Sequence, residues 1–192
     1  EEYKIKIEEY IKNNQVDILV NNTQGPSAGN SLSKNIDSYQ EAFDLLFKSV
    51  VHTTSLVIPH MQKNKWGRII NVTSVSVKEP LNYLVLSNSI RSAVVAWAKS
   101  LSVDVGKDGI TINSILTGYF DTERIKELNK EKSKSLNISE NEVLEKMKSL
   151  VPINRLGKPE EYGYLVSFLS SDKASYINGA SIPIDGGLLK SY

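Results

Sequence analysis

The stretch from Gly67 to Leu101, GRIINVTSVSVKEPLNYLVLSNSIRSAVVAWAKSL, constrains the fold more than any other part of the chain. Residues 68–73 form a short, β-branched apolar run of the kind that lies buried in a parallel sheet. After a hydroxyl-bearing loop, Ile90, Ala93, Val94, Trp97, Ala98 and Leu101 recur at helical spacing. The segment therefore reads as strand, loop and amphipathic helix. In an open parallel α/β sheet the residues just beyond a strand's carboxyl end line the ligand crevice. Ser74 and its neighbours are accordingly expected at a site.

The same alternation runs through the rest of the chain. Residues 1–14 put Tyr3, Ile7, Tyr10 and Ile11 on one helical face, and residues 17–22, DILVNN, follow as a buried strand with a polar end. Asp37 and Gln40 suit a capping box for a long helix running towards Lys63. Apolar residues cover most of that helix's circumference, which predicts burial on both sides, against the sheet and against another subunit. Residues 110–115 read as another short buried strand. Residues 123–150 are charged and helical in propensity, punctuated at Asn137. Pro159 suits the first turn of a helix whose acids, Glu160 and Glu161, favour the positive end of its dipole. Leu165, Val166, Phe168 and Leu169 are expected to bury it. Asn178-Gly179 marks a turn before a last strand over 180–184, where Pro183 cannot donate to a ladder, so this strand belongs at an edge or points its missing donor away. The pattern predicts the α/β class, a doubly wound parallel sheet in one domain spanning residues 1–192.

Composition narrows the partners. With 192 residues, 40% apolar, 23% charged and a net charge of +1, the chain has the balance of an ordinary globular domain. Nucleic acid is not expected as a partner, and the Lys-rich piece at 130–134 is interrupted by Glu131, as on a solvated helix face. No apolar run approaches the roughly 20 residues that cross a bilayer, and residues 1–9 do not resemble a signal peptide. A cytoplasmic protein with no membrane partner is expected. The absence of Cys excludes a disulfide framework, a thiolate metal site and a Cys nucleophile. His52 and His60 have no third ligand at close spacing and read as surface or interface residues rather than metal ligands.

The chain resembles the short-chain dehydrogenases/reductases over essentially its whole length, most specifically at Arg155-Leu156-Gly157-Lys158-Pro159-Glu160-Glu161, which is similar to a family hallmark. In that family a Ser after the fifth strand is followed thirteen positions later by a Tyr and four further on by a Lys. Ser74 matches the Ser, and the count lands on Ser87 and Arg91. Aligning Pro59-His60-Met61 with the family's usual helix ending puts Leu46 where the catalytic tetrad keeps an Asn. Asn21 and Asn22 match an Asn-Asn-Ala-Gly turn at the adenosine side of the cofactor, with Thr23 and Gln24 in place of Ala and Gly. The segment 116–122 resembles the Pro-Gly-x-x-x-Thr loop at the nicotinamide end, with Gly118 and Thr122 matching and Thr117 in place of the Pro.

The resemblance, to the 3-oxoacyl carrier-protein reductase-like branch, implies a Rossmann-like sheet whose first strands, with their Gly-rich fingerprint, are absent from this chain. It implies NAD or NADP as cofactor, without choosing between them, and a small carbonyl or alcohol as substrate. Asn21, Asn22, Thr23, Arg91, Gly118 and Thr122 become cofactor-binding candidates, and Ser74, Ser87 and Arg91 catalytic ones. It also implies a homo-oligomer, a tetramer or dimer, associating through the long helix.

Chemistry leaves alternatives open. Hydride transfer to a carbonyl needs a proton donor poised near neutral pH. Ser87 carries an aliphatic hydroxyl, a far poorer acid than a phenol. Arg91 keeps a positive charge that can grip a ribose or phosphate but, with a pKa above about 12, cannot relay protons. Ser74 can polarise a carbonyl. Tyr83 is the nearest phenol and serves either in packing or, after a loop rearrangement, in the site; Tyr119 is a second such candidate. Asn21 and Asn22 either satisfy backbone groups at a strand end or touch cofactor, and Thr122 either binds nicotinamide or caps the following helix. Two functions stay in view: an oxidoreductase with an altered site, and a nucleotide-binding scaffold or inactive subunit. A Ser-His-Asp hydrolase is poorly supported, because neither His falls near a strand end.

Overall fold

Two eight-residue strands form the centre of the molecule. A computed structural model of the chain describes residues 2–191. In it β2 (Gly67–Ser74) and β3 (Ile110–Thr117) pair in parallel along their whole length, from Gly67 beside Ile110 to Ser74 beside Thr117. β1 (Ile18–Asn21) flanks β2 and β4 (Ser181–Ile184) flanks β3, so the sheet order is β1-β2-β3-β4 and every pairing is parallel. Pro183 lies opposite Leu116 on the edge strand β4, the position expected of a residue without a donor.

Helices cover both faces, which is why β2 and β3 are buried almost throughout. On one face Ile69 and Ile112 pack with Val57 and Met61 of α3 (Ser49–Asn64) and with Ala98 and Val105 of α4 (Val85–Val105). On the other, Ile70 and Ile115 pack with Leu169 of α7 (Pro159–Leu169) and with Ala174. The alternation follows from the period of two along a strand. Layers on both sides of a parallel sheet make this the doubly wound α/β arrangement.

Several local expectations are corrected. The long helix is not continuous: α2 (Ile36–Phe43) and α3 are joined by one π-helical turn at Asp44–Lys48. Its cap is Asn35 rather than Asp37; the Asn35 side chain accepts from the Ser38 N–H at 2.9 Å, while Gln40 donates to Asp44 at 3.0 Å. On α1 (Glu2–Asn13) the predicted apolar face is only partly covered: Ile11 packs against the core, whereas Tyr3 and Tyr10 are exposed. Leu169 is fully buried in α7, but Phe168 is exposed.

The charged region 123–150 forms α5 (Glu123–Leu136) and α6 (Glu140–Leu150). Asn137 ends α5 in the left-handed conformation, with φ 51°, and Ser139 with Glu142 closes a capping box on α6. At the start of α7, Glu161 accepts from the Lys158 N–H at 2.7 Å and from Arg155 at 2.6 and 2.8 Å. No helix among the described residues is long and apolar enough to cross a membrane.

Asn21 shows how β1 is fastened. Its amide donates to Thr54 Oγ1 of α3 at 3.1 Å and to Asn71 Oδ1 of β2 at 2.9 Å, and all three residues are buried. Asn21→Ala leaves both acceptors buried and unpaired and is expected to cost about 1–3 kcal/mol, read as a lower urea midpoint at unchanged slope. Glu161 gives a second test. Its bonds to Arg155 and Lys158 hold its carboxyl at about 2, below the ordinary 4.5, so its contribution to stability is complete above pH 4.5 and is lost as the pH falls towards 2. Acid unfolding of Glu161→Gln is expected to show a flatter pH dependence in that window than the parent.

Candidate functional site

The sheet's carboxyl-terminal edge opens into a cavity of about 560 Å³. Ser74 and Thr117, paired across β2 and β3, stand at its floor. Asn22, Thr23, Ser87, Arg91, Gly118 and Thr122 also line it. Asn21 does not. Consecutive strand residues point to opposite faces, so Asn21 turns towards α3 while Asn22 faces the cavity.

Arg91 ties this end of the sheet together. One terminal nitrogen donates to the Val72 carbonyl of β2 at 2.6 Å and the other to the Thr23 carbonyl after β1 at 3.3 Å. Burial pulls its pKa down to about 10, so the group stays cationic at neutral pH. Ser87, one turn earlier on α4, is only 8% exposed, and its hydroxyl has no hydrogen bond among the described residues.

Ser74 Oγ accepts from the Ser76 N–H at 3.1 Å, which leaves its own proton to give. Thr122 occupies the N-cap position of α5 but makes no capping bond; its hydroxyl has only a 3.5 Å contact with the Phe120 carbonyl. Capping therefore does not account for it. A methyl group at Gly118 would come within 2.6 Å of Asp185 Cα, so glycine is needed where the loop after β3 passes the end of β4.

The structure adds residues that spacing did not reveal. Arg124, Ile125 and Leu128 of α5, with Met147 of α6, roof the cavity. Arg124 donates to the Pro26 carbonyl at 3.0 Å, fastening that roof to the loop after β1. Tyr83 and Tyr119 both line the cavity. Burial raises the pKa of each above the ordinary phenol value. Behind them Tyr162 meets Thr117 at 3.1 Å, and burial pushes its phenol up to about 12. Tyr83 and Tyr119 are candidates the sequence already offers, whereas nothing in the spacing points to Arg124. Leu46 is fully buried in the π-helical turn and does not line the cavity.

The two histidines lie elsewhere. His52 is 3.1 Å from Glu8 and His60 is 2.8 Å from Asp17, so both link α3 to the amino-terminal segment. No group of three or more His, Cys, Asp or Glu that could hold a metal occurs among the described residues.

Comparison with known proteins agrees with this arrangement. Residues 6–189 match the family model described as enoyl-(acyl carrier protein) reductase. The oxidoreductase UcpA of Salmonella typhimurium is 34% identical over 176 residues, covering 90% of this chain and 65% of the relative. The chain belongs to the short-chain dehydrogenase/reductase superfamily. The NADPH-dependent reductase BacG of Bacillus subtilis is 29% identical over 177 residues, with 92% of this chain and 68% of the relative covered. The structure of L-sorbose reductase from Gluconobacter frateurii, complexed with NADPH and L-sorbose, superposes with a TM-score of 0.92 at 28% identity, covering 100% of this chain and 74% of that one. The chain thus spans about two thirds of the length of the curated relatives it matches.

Removing Arg91 should be felt in stability before any question of activity. Arg91→Met strips two carbonyls of a charged donor and is expected to cost about 2–3 kcal/mol. Arg91→Lys, able to reach one of them, should cost less. Urea unfolding of the three proteins measures both.

Proposed function

We propose that the chain forms the catalytic part of an NAD(P)-dependent oxidoreductase acting on a small carbonyl or alcohol, with an altered active site. The observation that carries this reading is the convergence of Ser74, Ser87, Arg91 and Thr122 on one cavity at the ends of β2 and β3. Such a strand-end crevice is where open α/β sheets bind ligands. UcpA, BacG and the L-sorbose reductase are all named as oxidoreductases or reductases, and NADPH is named for the last two.

The residues fit the nicotinamide half of a dinucleotide. Thr122 and Ser87 bring hydroxyls without strong partners in the protein, and Arg91 has donors beyond the two it spends on carbonyls. Thr122 and Gly118 would hold the carboxamide end, Arg91 the ribose, and Asn22 and Thr23 the side towards the adenosine. When bound, the nicotinamide supplies or accepts a hydride.

The chain's own groups do the rest. Ser74, held by the Ser76 N–H, donates its proton as a hydrogen bond to the substrate oxygen. The buried Arg91 cation makes negative charge on that oxygen less costly, because the surrounding dielectric is low. Arg91 moves no proton. Met147, Leu128 and Ile125 exclude water from above. A cytoplasmic setting and association of copies through the segment from α2 to α3 belong to the same reading, and Leu45 on the π-helical turn, 41% exposed, supports the latter.

Calorimetry with NADH and NADPH, on protein expressed from the complete reading frame, tests the reading. Saturable binding of one of them at micromolar concentration is expected. Failure of both to bind at millimolar concentration would sink it. Tight binding without turnover of any ketone or alcohol would favour the scaffold.

A further inference from the structure

Resting on the oxidoreductase reading, we propose that the substrate is an anionic carbonyl compound, an oxo acid or the corresponding hydroxy acid, and that Arg124 is the specificity-determining residue that receives its carboxylate. The cavity is lined by two guanidiniums, Arg91 from α4 and Arg124 in the roof. Glu127 is the only acid among the described residues that line it. Charge alone therefore selects against a cationic ligand and favours an anionic one.

The two cations are not equivalent. Arg91 is fixed by the carbonyls of Val72 and Thr23. Arg124 hangs among Ile125, Leu128 and Met147, and is the one charged donor of an otherwise apolar roof. A guanidinium carries five N–H donors. Nη2 of Arg124 gives one to the Pro26 carbonyl at 3.0 Å, and Nη1 stands 3.5 Å from Glu127 Oε2, long for a charge-assisted bond. Nε has no hydrogen bond among the described residues. One edge of the fork, Nε–H with a neighbouring Nη–H, thus remains to meet the two oxygens of a carboxylate. Glu127 is a weak competitor, because its side chain is 64% exposed and a pair of this kind contributes little in water.

The start of α5 reinforces the same field. No side chain caps that helix, and the Thr122 hydroxyl has only its long contact with the Phe120 carbonyl, so the positive end of the helix dipole adjoins the cavity without a compensating group. Glu123, the acid of this first turn, is exposed and is held by Lys126 at 2.7 Å.

Two anionic groups could enter such a cavity, a carboxylate on the substrate and the pyrophosphate of the dinucleotide. The roof favours the first. Arg124 belongs with the apolar groups that shut out water above the reacting carbonyl, and Ser74 stands at the floor. A small ligand that spans floor and roof has a carbonyl at one end and an anion at the other.

The test compares straight-chain 2-oxo, 4-oxo and 5-oxo acids, each beside its primary amide, on the parent, Arg124→Met and Arg124→Lys, all expressed from the complete reading frame. The parent is expected to prefer an oxo acid over its amide in kcat/KM by about 10- to 100-fold, the range set by hydrogen bonds to a charged group. Arg124→Met should abolish that preference, chiefly through KM for the acid. Arg124→Lys, a point charge without the fork, should keep part of it. Loosening of the roof would lower acid and amide alike, so the ratio separates recognition from structure. Calorimetry without dinucleotide gives a second readout: the parent should bind the acid more tightly than the amide, and Arg124→Met should bind both alike. A parent that reduces the amide as readily as the acid overturns the substrate class, leaves the oxidoreductase reading standing, and needs no variant to fold. An acid preference retained in Arg124→Met overturns the role of Arg124, and if NADH and NADPH affinity falls instead, the guanidinium belongs to the pyrophosphate. A parent that binds dinucleotide but reduces neither acids, amides nor simple ketones removes the oxidoreductase reading and the substrate with it.

Discussion

A single buried guanidinium holds the business end of this molecule in shape. Arg91 reaches from α4 to carbonyls at the end of β2 and in the loop after β1. Burying a cation is costly unless strong acceptors receive it, and two backbone carbonyls at strand ends, where ladder bonds run out, are well suited acceptors. The bond is mutual: the carbonyls lose their orphan status and the charge is compensated without a carboxylate. A carboxylate would have neutralised the cavity. With carbonyls as partners, the net positive charge stays available to whatever binds there.

That arrangement depends on the sheet being in register. β2 and β3 pair over eight positions, which sets Ser74 beside Thr117 and brings the loop after each strand to the same edge. The roof meets the same loop, since Arg124 donates to the Pro26 carbonyl a few residues beyond the Thr23 carbonyl that Arg91 holds. Position is therefore transmitted from the core outward, through main-chain carbonyls more than through side-chain pairs.

The sequence made the layers legible because strands and helices here differ in period. Residues 68–73 and 110–115 are short runs rich in β-branched residues, and 90–101 repeats its apolar residues every third or fourth position, so types and order followed directly. What escaped was phase and distance. The helix towards Lys63 is apolar nearly all round, and a π-helical turn inserted in such a pattern leaves no trace. Asn35 and Asp37 are equally good caps by residue type; only the extended backbone at Asn35, with φ −91° and ψ 174°, decides between them. Asn21 and Asn22 look alike in sequence, yet the period of two sends one to α3 and the other to the cavity. Arg124 and Met147 reach the cavity from helices far along the chain, and no local pattern can announce a meeting of that kind.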